Sequence, residues 1–175
     1  MSGKSTLLRA IGVNIVLAQM GGPVSAAMLH MPALLVATSM RVQDSLDEGV
    51  SFFMAELRRL KAIVDLADGQ AQAGAPHLLY LLDEILQGTN TAERQIAARQ
   101  IILHLVRSGA IGAVSTHDLT LAAEAEVAAV GKAVYFTEQF SRGPEGATMQ
   151  FDYKLRDGIA TSTNALKLME LIGLT

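Results

Sequence analysis

Cysteine and tryptophan are absent from the 175 residues, and aromatic residues make up only 5% of them. Without cysteine the chain can form no disulfide bond, no thiolate nucleophile and no thiolate zinc site. This absence fits a reducing compartment, so the cytoplasm is the expected location. Half of the residues are hydrophobic, which is enough for one domain with a sizeable core.

The sequence also lacks a long hydrophobic run and an excess of basic residues. The most apolar stretch, residues 24–40, contains His30 and Pro32 and falls short of the ~20 residues that a membrane-spanning helix needs. No basic and apolar leader follows Met1. The formal charge is -3 at pH 7, whereas a surface that binds nucleic-acid phosphates needs clustered lysine and arginine. We therefore expect no membrane association, and if DNA is a partner, other parts of the protein must bind it.

Hydrophobic periodicity alternates along the chain between helical and strand patterns. Helical spacing predicts three long helices, over residues 4–20, 51–67 and 90–108. Asn90 followed three residues later by Glu93 predicts a side-chain cap at the start of the third helix. Short apolar runs predict buried strands of a parallel sheet, over residues 33–39, 78–82 and 110–116. Glu56 falls on the charged face of the second helix, opposite the hydrophobic stripe, and is expected to face solvent.

The last part of the sequence has a different pattern. A turn at 143–146 separates residues 133–138 from a strict alternation over 149–155, which predicts an antiparallel hairpin. A short helix over 119–127 and a final helix over 163–172 complete the prediction. Strands that alternate with helices indicate an α/β layered domain, with a mostly parallel sheet and an antiparallel hairpin late in the chain.

The tetrapeptide Gly3-Lys4-Ser5-Thr6 opens the first helix and matches the second half of a P-loop. In that loop, backbone N–H groups and a lysine bind phosphates, and a hydroxyl ligates Mg²⁺. The pattern G-x-x-x-x-G-K-[ST] starts well before its second glycine, but only Met1 and Ser2 precede Gly3. We therefore expect the chain to begin inside the loop, by truncation or at an internal methionine. A short match of this kind also arises by chance.

Two carboxylates and a histidine come directly after the next predicted strands. The apolar run 79–82 ends in Asp83 and Glu84. The first carboxylate of such a pair can hold a Mg²⁺ ion, and the second can polarise an attacking water. His117 comes after the strand 110–116, at the edge of the sheet where ligands of open α/β folds bind. The alternatives are a strand that ends in solvated acids and a histidine with a capping or structural role.

Four motifs together resemble those of MutS-type mismatch repair ATPases. Residues 1–6 resemble the Walker A motif, 82–85 with 88–91 resemble the Walker B region, and 115–118 resemble the His-switch. Residues 49–56 resemble the family's signature segment, in which a serine at the start of a helix reaches the nucleotide of the partner subunit. The order and the spacing also agree, so the resemblance covers nearly the whole chain.

The resemblance implies a P-loop NTPase domain of the ABC-type ATPase class that hydrolyses ATP with Mg²⁺. Because half of the phosphate loop is missing, we expect the 175 residues by themselves to hydrolyse ATP weakly or not at all. It assigns nucleotide contacts to Ser2, Gly3, Lys4, Ser5, Thr6 and Ser51. Ser5 and Asp83 would hold Mg²⁺, Glu84 would activate water, and His117 would report on the γ-phosphate. Ser51 would act in trans, which implies a homodimer with composite ATP sites.

The sequence departs from the family at two positions after the Walker B motif. MutS proteins usually have glycine and arginine where this sequence has Leu86 and Gln87, so we expect a divergent branch. The expected function is to couple nucleotide state to DNA-binding domains in DNA repair or recombination. The alternative is a catalytically inactive fragment that only dimerises, because half of its phosphate loop is missing.

Overall fold

The computed structural model describes residues 3–40, 52–70, 76–143 and 146–160 of the chain. Its helices are α1 (Lys4–Gln19), α2 (Phe52–Gly69), α3 (Thr91–Arg107), α4 (Leu119–Ala123) and α5 (Ala125–Val130). Its strands are β1 (Leu34–Ser39), β2 (His77–Asp83), β3 (Ile111–Ser115), β4 (Val134–Tyr135), β5 (Glu138–Gly143), β6 (Gly146–Phe151) and β7 (Arg156–Asp157). Helices and strands alternate as far as β3, as the hydrophobic periodicity predicts.

In the described part of the chain, three parallel strands form a sheet in the order β1-β2-β3. The central strand is β2, and its residues from Leu78 to Leu82 are all buried. Such a continuous apolar run is what a strand covered on both faces requires. The predicted parallel sheet is confirmed, and each predicted strand agrees with the observed one to within one residue at either end.

Helices cover both faces of this sheet. Leu8 and Ile15 of α1 pack in one hydrophobic cluster with Leu79 and Leu81 of β2. The other β2 side chains join α2 and α3 in a second cluster that includes Leu78, Tyr80, Leu82, Leu60, Ile63, Ile102 and Leu105. Because side chains alternate along a strand, β2 divides the core into two parts. Each fully buried leucine contributes about 1.5–3 kcal/mol to this three-layered packing.

The start of α3 has the capping interaction that the sequence predicts. The side chain of Asn90 accepts a hydrogen bond from the backbone N–H of Glu93 at 2.9 Å. The Glu93 carboxylate accepts a hydrogen bond from the Thr89 hydroxyl at 2.6 Å. The helix ends before Gly109, whose φ of 78° belongs to the left-handed region that glycine tolerates.

The antiparallel hairpin is present, but its first strand differs from the prediction. The paired strands are β5 and β6, with Glu138 opposite Phe151 and Gly143 opposite Gly146. The sequence pattern predicts the first strand over residues 133–138, and this prediction is wrong. Within that range Val134 and Tyr135 form β4, which pairs instead with β7. Pairing between β4 and β7 is nonlocal, and local periodicity does not indicate it.

The second strand of the hairpin is shorter than the predicted alternation over 149–155. It ends at Phe151, and Tyr153 has a φ of 53° that is incompatible with a strand. The Asp152 carboxylate turns the chain here, since it accepts hydrogen bonds from the Arg156 guanidinium and from the backbone N–H of Lys154. These contacts, Arg156 first, lower the pKa of Asp152 to about 2.

The predicted helix over 119–127 consists of two short helices, α4 and α5. Glu124 lies between them in an extended conformation, with a ψ of 132°, and this interrupts the helical hydrogen bonding. The predicted final helix over 163–172 lies outside the described residues. Among the helices that are described, none is both long enough and apolar enough to cross a membrane.

Candidate functional site

The carboxyl ends of β2 and β3 bring polar residues together at one edge of the sheet. Asp83 and Ser115 are register partners at the ends of the two strands. The Ser115 hydroxyl donates a hydrogen bond to Oδ1 of Asp83. Parallel strands place their C-terminal loops at the same edge, so the residues after Asp83 and Ser115 are neighbours in space.

Lys4 reaches this edge from the start of α1. Its Nζ donates a hydrogen bond to the backbone oxygen of Thr116 at 3.1 Å, immediately after β3. Among the described residues, no side chain forms a capping hydrogen bond to the first turn of α1, where Ser5 and Thr6 lie. Uncapped N–H groups at a helix start attract anions, so this geometry suits a phosphate group.

Gly3, which precedes α1, has a φ of 92° that favours glycine. A Cβ atom at this position would lie 3.1 Å from Cδ1 of Tyr153 and 3.9 Å from Cγ of Phe136. Tyr153 is 63% exposed, so one aromatic ring borders the start of α1 while remaining accessible. The sequence pattern places Tyr153 in a strand and does not indicate this contact, because nothing local predicts it.

The Glu84 carboxylate lies between two side chains of the same edge. Nε2 of Gln87 donates a hydrogen bond to Oε2 of Glu84 at 2.6 Å. On the other side, Nδ1 of His117 is 3.8 Å from Oε1 of Glu84. The backbone N–H of Glu84 also donates to the oxygen of Ser115 at 3.0 Å. The structure thus brings Lys4, Glu84 and His117 to one edge of the sheet.

Glu56 of α2 is buried, and the expectation that it faces solvent is wrong. Only 5% of its surface is exposed, and its Oε1 accepts a hydrogen bond from the backbone N–H of Leu86 at 2.6 Å. Burial raises the pKa of Glu56 above its ordinary value, and the Leu86 hydrogen bond opposes this change. The Glu56 carboxylate accepts a hydrogen bond from the loop that follows Glu84, and helical periodicity alone does not indicate this contact.

Asp118 anchors the start of α4 next to His117. Its Oδ1 accepts hydrogen bonds from the backbone N–H groups of Thr120 at 3.1 Å and Leu121 at 3.4 Å. Its Oδ2 accepts one from Nε2 of Gln95 at 2.8 Å. Burial by itself would raise the pKa of Asp118, but these hydrogen bonds outweigh it and the pKa lies below its ordinary value.

We expect Asp118→Asn to lower the free energy of unfolding by about 1 kcal/mol near neutral pH, because a charged acceptor forms stronger hydrogen bonds than an amide. A lowered pKa means that the carboxylate stabilises the fold above its unfolded-state pKa of about 3.9. That contribution is lost as the pH falls through the folded-state pKa. Urea unfolding should therefore reveal a difference between wild type and variant that shrinks as the pH falls below the unfolded-state pKa of about 3.9. A pH-independent difference would contradict this account, and Asp65→Asn is the control at an exposed position.

The family comparison agrees with this geometry. The family model described as MutS domain V matches residues 1–175. The chain belongs to the MutS family. MutS domain V has a P-loop ATPase fold, and the three parallel strands with a small antiparallel hairpin are consistent with it.

Individual relatives of this MutS-family chain are bacterial, archaeal and fungal. DNA mismatch repair protein MutS 2 of Haloarcula marismortui is 32% identical over 177 residues, covering 99% of this chain and 17% of the relative. DNA mismatch repair protein MutS of Shouchella clausii is 32% identical, and the match covers 99% of this chain and 19% of the relative. Endonuclease MutS2 of Thermomicrobium roseum is 30% identical, and the match covers 98% of this chain and 20% of the relative. The chain thus spans about a fifth of the length of these relatives.

The chemistry of the MutS-family site fits a magnesium ion. A carboxylate on Asp83 and a hydroxyl on Ser5 are hard oxygen ligands, which Mg²⁺ prefers. Within residues 3–40, 52–70, 76–143 and 146–160, no three His, Asp or Glu side chains lie together as a ready-made metal cage. Mg²⁺ in phosphate sites binds through one or two protein groups with phosphate and water, so two ligands suffice. Ser2 and Ser51 lie outside the described residues.

Proposed function

We propose that this MutS-family domain binds ATP at the carboxyl edge of its parallel sheet and hydrolyses it. One observation carries the proposal, the hydrogen bond from Nζ of Lys4 to the backbone oxygen of Thr116. It joins the start of α1 to the end of β3, beside the carboxylate of Glu84 and the ring of His117. A cation, an uncapped helix start and a carboxylate at one edge are what phosphoryl transfer to water requires.

In the proposed reaction, Lys4 and the first N–H groups of α1, from Gly3 to Thr6, bind the phosphates. The water oxygen bonds to the γ-phosphorus while the bond from that phosphorus to the oxygen of ADP breaks. Glu84 orients the water and accepts its proton. His117, next to Glu84, contacts the γ-phosphate. When bound between Ser5 and Asp83, Mg²⁺ would neutralise charge on the β- and γ-phosphate oxygens.

The proposal extends to partners. Ser51 precedes α2 and is proposed to contact the nucleotide of a second subunit, so that a homodimer has two composite sites. Several relatives carry the description DNA mismatch repair protein, and another is described as an endonuclease. We infer that nucleotide state in this domain is coupled to DNA-binding domains outside the 175 residues, in DNA repair or recombination.

A titration of the 175-residue chain with MgATP tests the binding step. At millimolar MgATP we expect amide chemical shifts to change around Gly3, Ser5 and His117, because the phosphates occupy the start of α1. Lys4→Met should weaken the apparent affinity for MgATP, measured from these shift changes, at least tenfold, since a charge-assisted contact contributes about 1.5–3 kcal/mol. Two-dimensional amide NMR measures both effects.

The matched control is Lys61→Met, which removes an exposed lysine that pairs with Asp65 on α2. This variant should titrate like the wild type. Shift changes that are absent, or that fall on α2 and not on the start of α1, would exclude the proposed site. Binding that is equal in Lys4→Met and wild type would remove Lys4 from the phosphate-binding role.

A further inference from the structure

A buried carboxylate on α2 contacts the loop that carries the proposed catalytic Glu84. Glu56 is 5% exposed, and its Oε1 accepts the backbone N–H of Leu86 at 2.6 Å. Its Oε2 is buried without a hydrogen-bond partner among the described residues. Burial of a carboxylate with incomplete hydrogen bonding destabilises a fold. Its single strong contact with residues 84–88 therefore suggests a role in that loop.

The loop of residues 84–88 needs such support because its backbone is strained. Glu84 has a φ of 50° and Leu86 a φ of 61°, both in the left-handed region that residues other than glycine rarely adopt. Such conformations persist only where the surrounding structure holds them. Here the backbone N–H of Glu84 donates a hydrogen bond to the backbone oxygen of Ser115, and the backbone N–H of Leu86 donates one to the Glu56 carboxylate.

A second contact joins α2 to the same loop. A Cβ atom added at Gly88 would lie 2.9 Å from Cβ of Phe53, so the loop backbone packs closely against the first turn of α2. Phe53 and Glu56 are three residues apart and therefore lie on the same face of the helix. The start of α2 holds the loop at two points, Leu86 and Gly88, on either side of Gln87.

Gln87 completes the connection to the proposed base. Its Nε2 donates to Oε2 of Glu84 at 2.6 Å, so the side chain between the two held positions fixes one carboxylate oxygen. The series of contacts runs from Glu56 through the Leu86 backbone to Gln87 and then to Glu84. These contacts connect the start of α2 to the carboxylate that faces His117.

We propose that Glu56 is a positioning residue that, with Gln87, sets the orientation of the Glu84 carboxylate according to the position of α2. This inference rests on the proposed function, in which Glu84 activates water.

The structural part of the inference is tested without nucleotide, in the 175-residue chain. Glu56→Leu removes the acceptor, and Glu56→Gln keeps one oxygen for the Leu86 N–H. In Glu56→Leu we expect amide shift changes at Glu84, Gln87 and His117, and about tenfold faster hydrogen exchange at Leu86. Glu56→Gln should restore most of the wild-type pattern. Changes confined to α2 would overturn the inference.

The catalytic part is tested by steady-state kinetics in a form of the protein that hydrolyses MgATP. Glu56→Leu and Gln87→Ala should each lower kcat about tenfold with little change in KM, because a misplaced base slows the chemical step without weakening binding. Glu56→Gln should recover most of kcat. The control is Glu126→Gln on α5, an exposed carboxylate paired with Arg99.

The two proposals fail in different ways. If wild-type protein neither binds nor hydrolyses MgATP, the proposed function fails, and amide shifts that reach Glu84 in Glu56→Leu still support the structural connection. If wild-type protein hydrolyses MgATP and Glu56→Leu keeps its kcat, the inference fails and the proposed function stands. A loss of kcat that Glu56→Gln does not relieve, with the same fall in thermal stability, reduces Glu56 to a structural residue and also overturns the inference.

Discussion

Glu84→Gln is expected to lower kcat for MgATP hydrolysis by ~10²–10⁴-fold, the usual contribution of a general base. Glutamine has nearly the same shape as glutamate but cannot accept the water proton at neutral pH. The side chain also keeps an oxygen that can accept the hydrogen bond from Nε2 of Gln87. The change therefore removes proton transfer and leaves the loop geometry intact.

Phosphate release and nucleotide binding, measured separately, check this expectation. The dissociation constant for MgATP should stay within about threefold, because Lys4 and the start of α1 are unchanged. Glu93→Gln is a useful control, since that carboxylate accepts a hydrogen bond from Thr89 at the start of α3. Turnover that is unchanged in Glu84→Gln would remove Glu84 from the role of base and leave His117 as the next candidate.

An extension of the chain before Met1 is expected to increase MgATP affinity by ~10²–10⁴-fold. Gly3-Lys4-Ser5-Thr6 matches the second half of the pattern G-x-x-x-x-G-K-[ST], and the added segment supplies the first half. The added segment consists of a strand and a glycine-rich turn, whose backbone N–H groups would be further donors to the phosphates. Two donors at about 1.5–3 kcal/mol each, the range for charged acceptors, give an effect of this size.

Calorimetry of the original and extended chains measures the gain. The control extension has the same length but valine in place of its glycines, because valine disfavours the backbone conformation that points N–H groups at a phosphate. We expect this control to bind no better than the original chain. Equal affinity in all three forms would mean that α1 and Lys4 alone account for binding.

Local pattern was sufficient for the elements that hold the sheet together. Helical spacing located α1 and α3, and apolar runs located all three parallel strands. Asn90 indicated the start of α3 because side-chain capping depends on residues only three apart. In these segments the short-range preferences and the tertiary packing agree, so sequence alone predicts the outcome.

Contacts between distant segments were not predictable in the same way. The pairing of β4 with β7 joins Tyr135 to Arg156, and periodicity contains no information about such a partner. The burial of Glu56 depends on the conformation of Leu86, thirty residues away. Local rules favour negative φ at Glu84 and Leu86, and tertiary contacts override them at the edge where the proposed chemistry occurs.

The sequence predicted which residues make up the candidate site, but not the hydrogen bonds and distances between them. Motifs named Lys4, Asp83, Glu84 and His117, and parallel strands imply that the residues at their carboxyl ends share one edge of the sheet. The roles of these residues remain predictions. The hydrogen bond between Gln87 and Glu84 could not be anticipated, because the resemblance to the MutS family marked Gln87 only as a departure.

The hydrogen bond between Lys4 and the end of β3 affects the entropy cost of binding a ligand at Lys4. A free lysine side chain loses about 0.5–1.5 kcal/mol of rotational freedom when an interface immobilises it. Here the ammonium group is already held by the Thr116 oxygen of the same domain. In the proposed site, an incoming phosphate would meet an ammonium group whose four-carbon stem is already ordered, so the loss of side-chain freedom would oppose phosphate binding less.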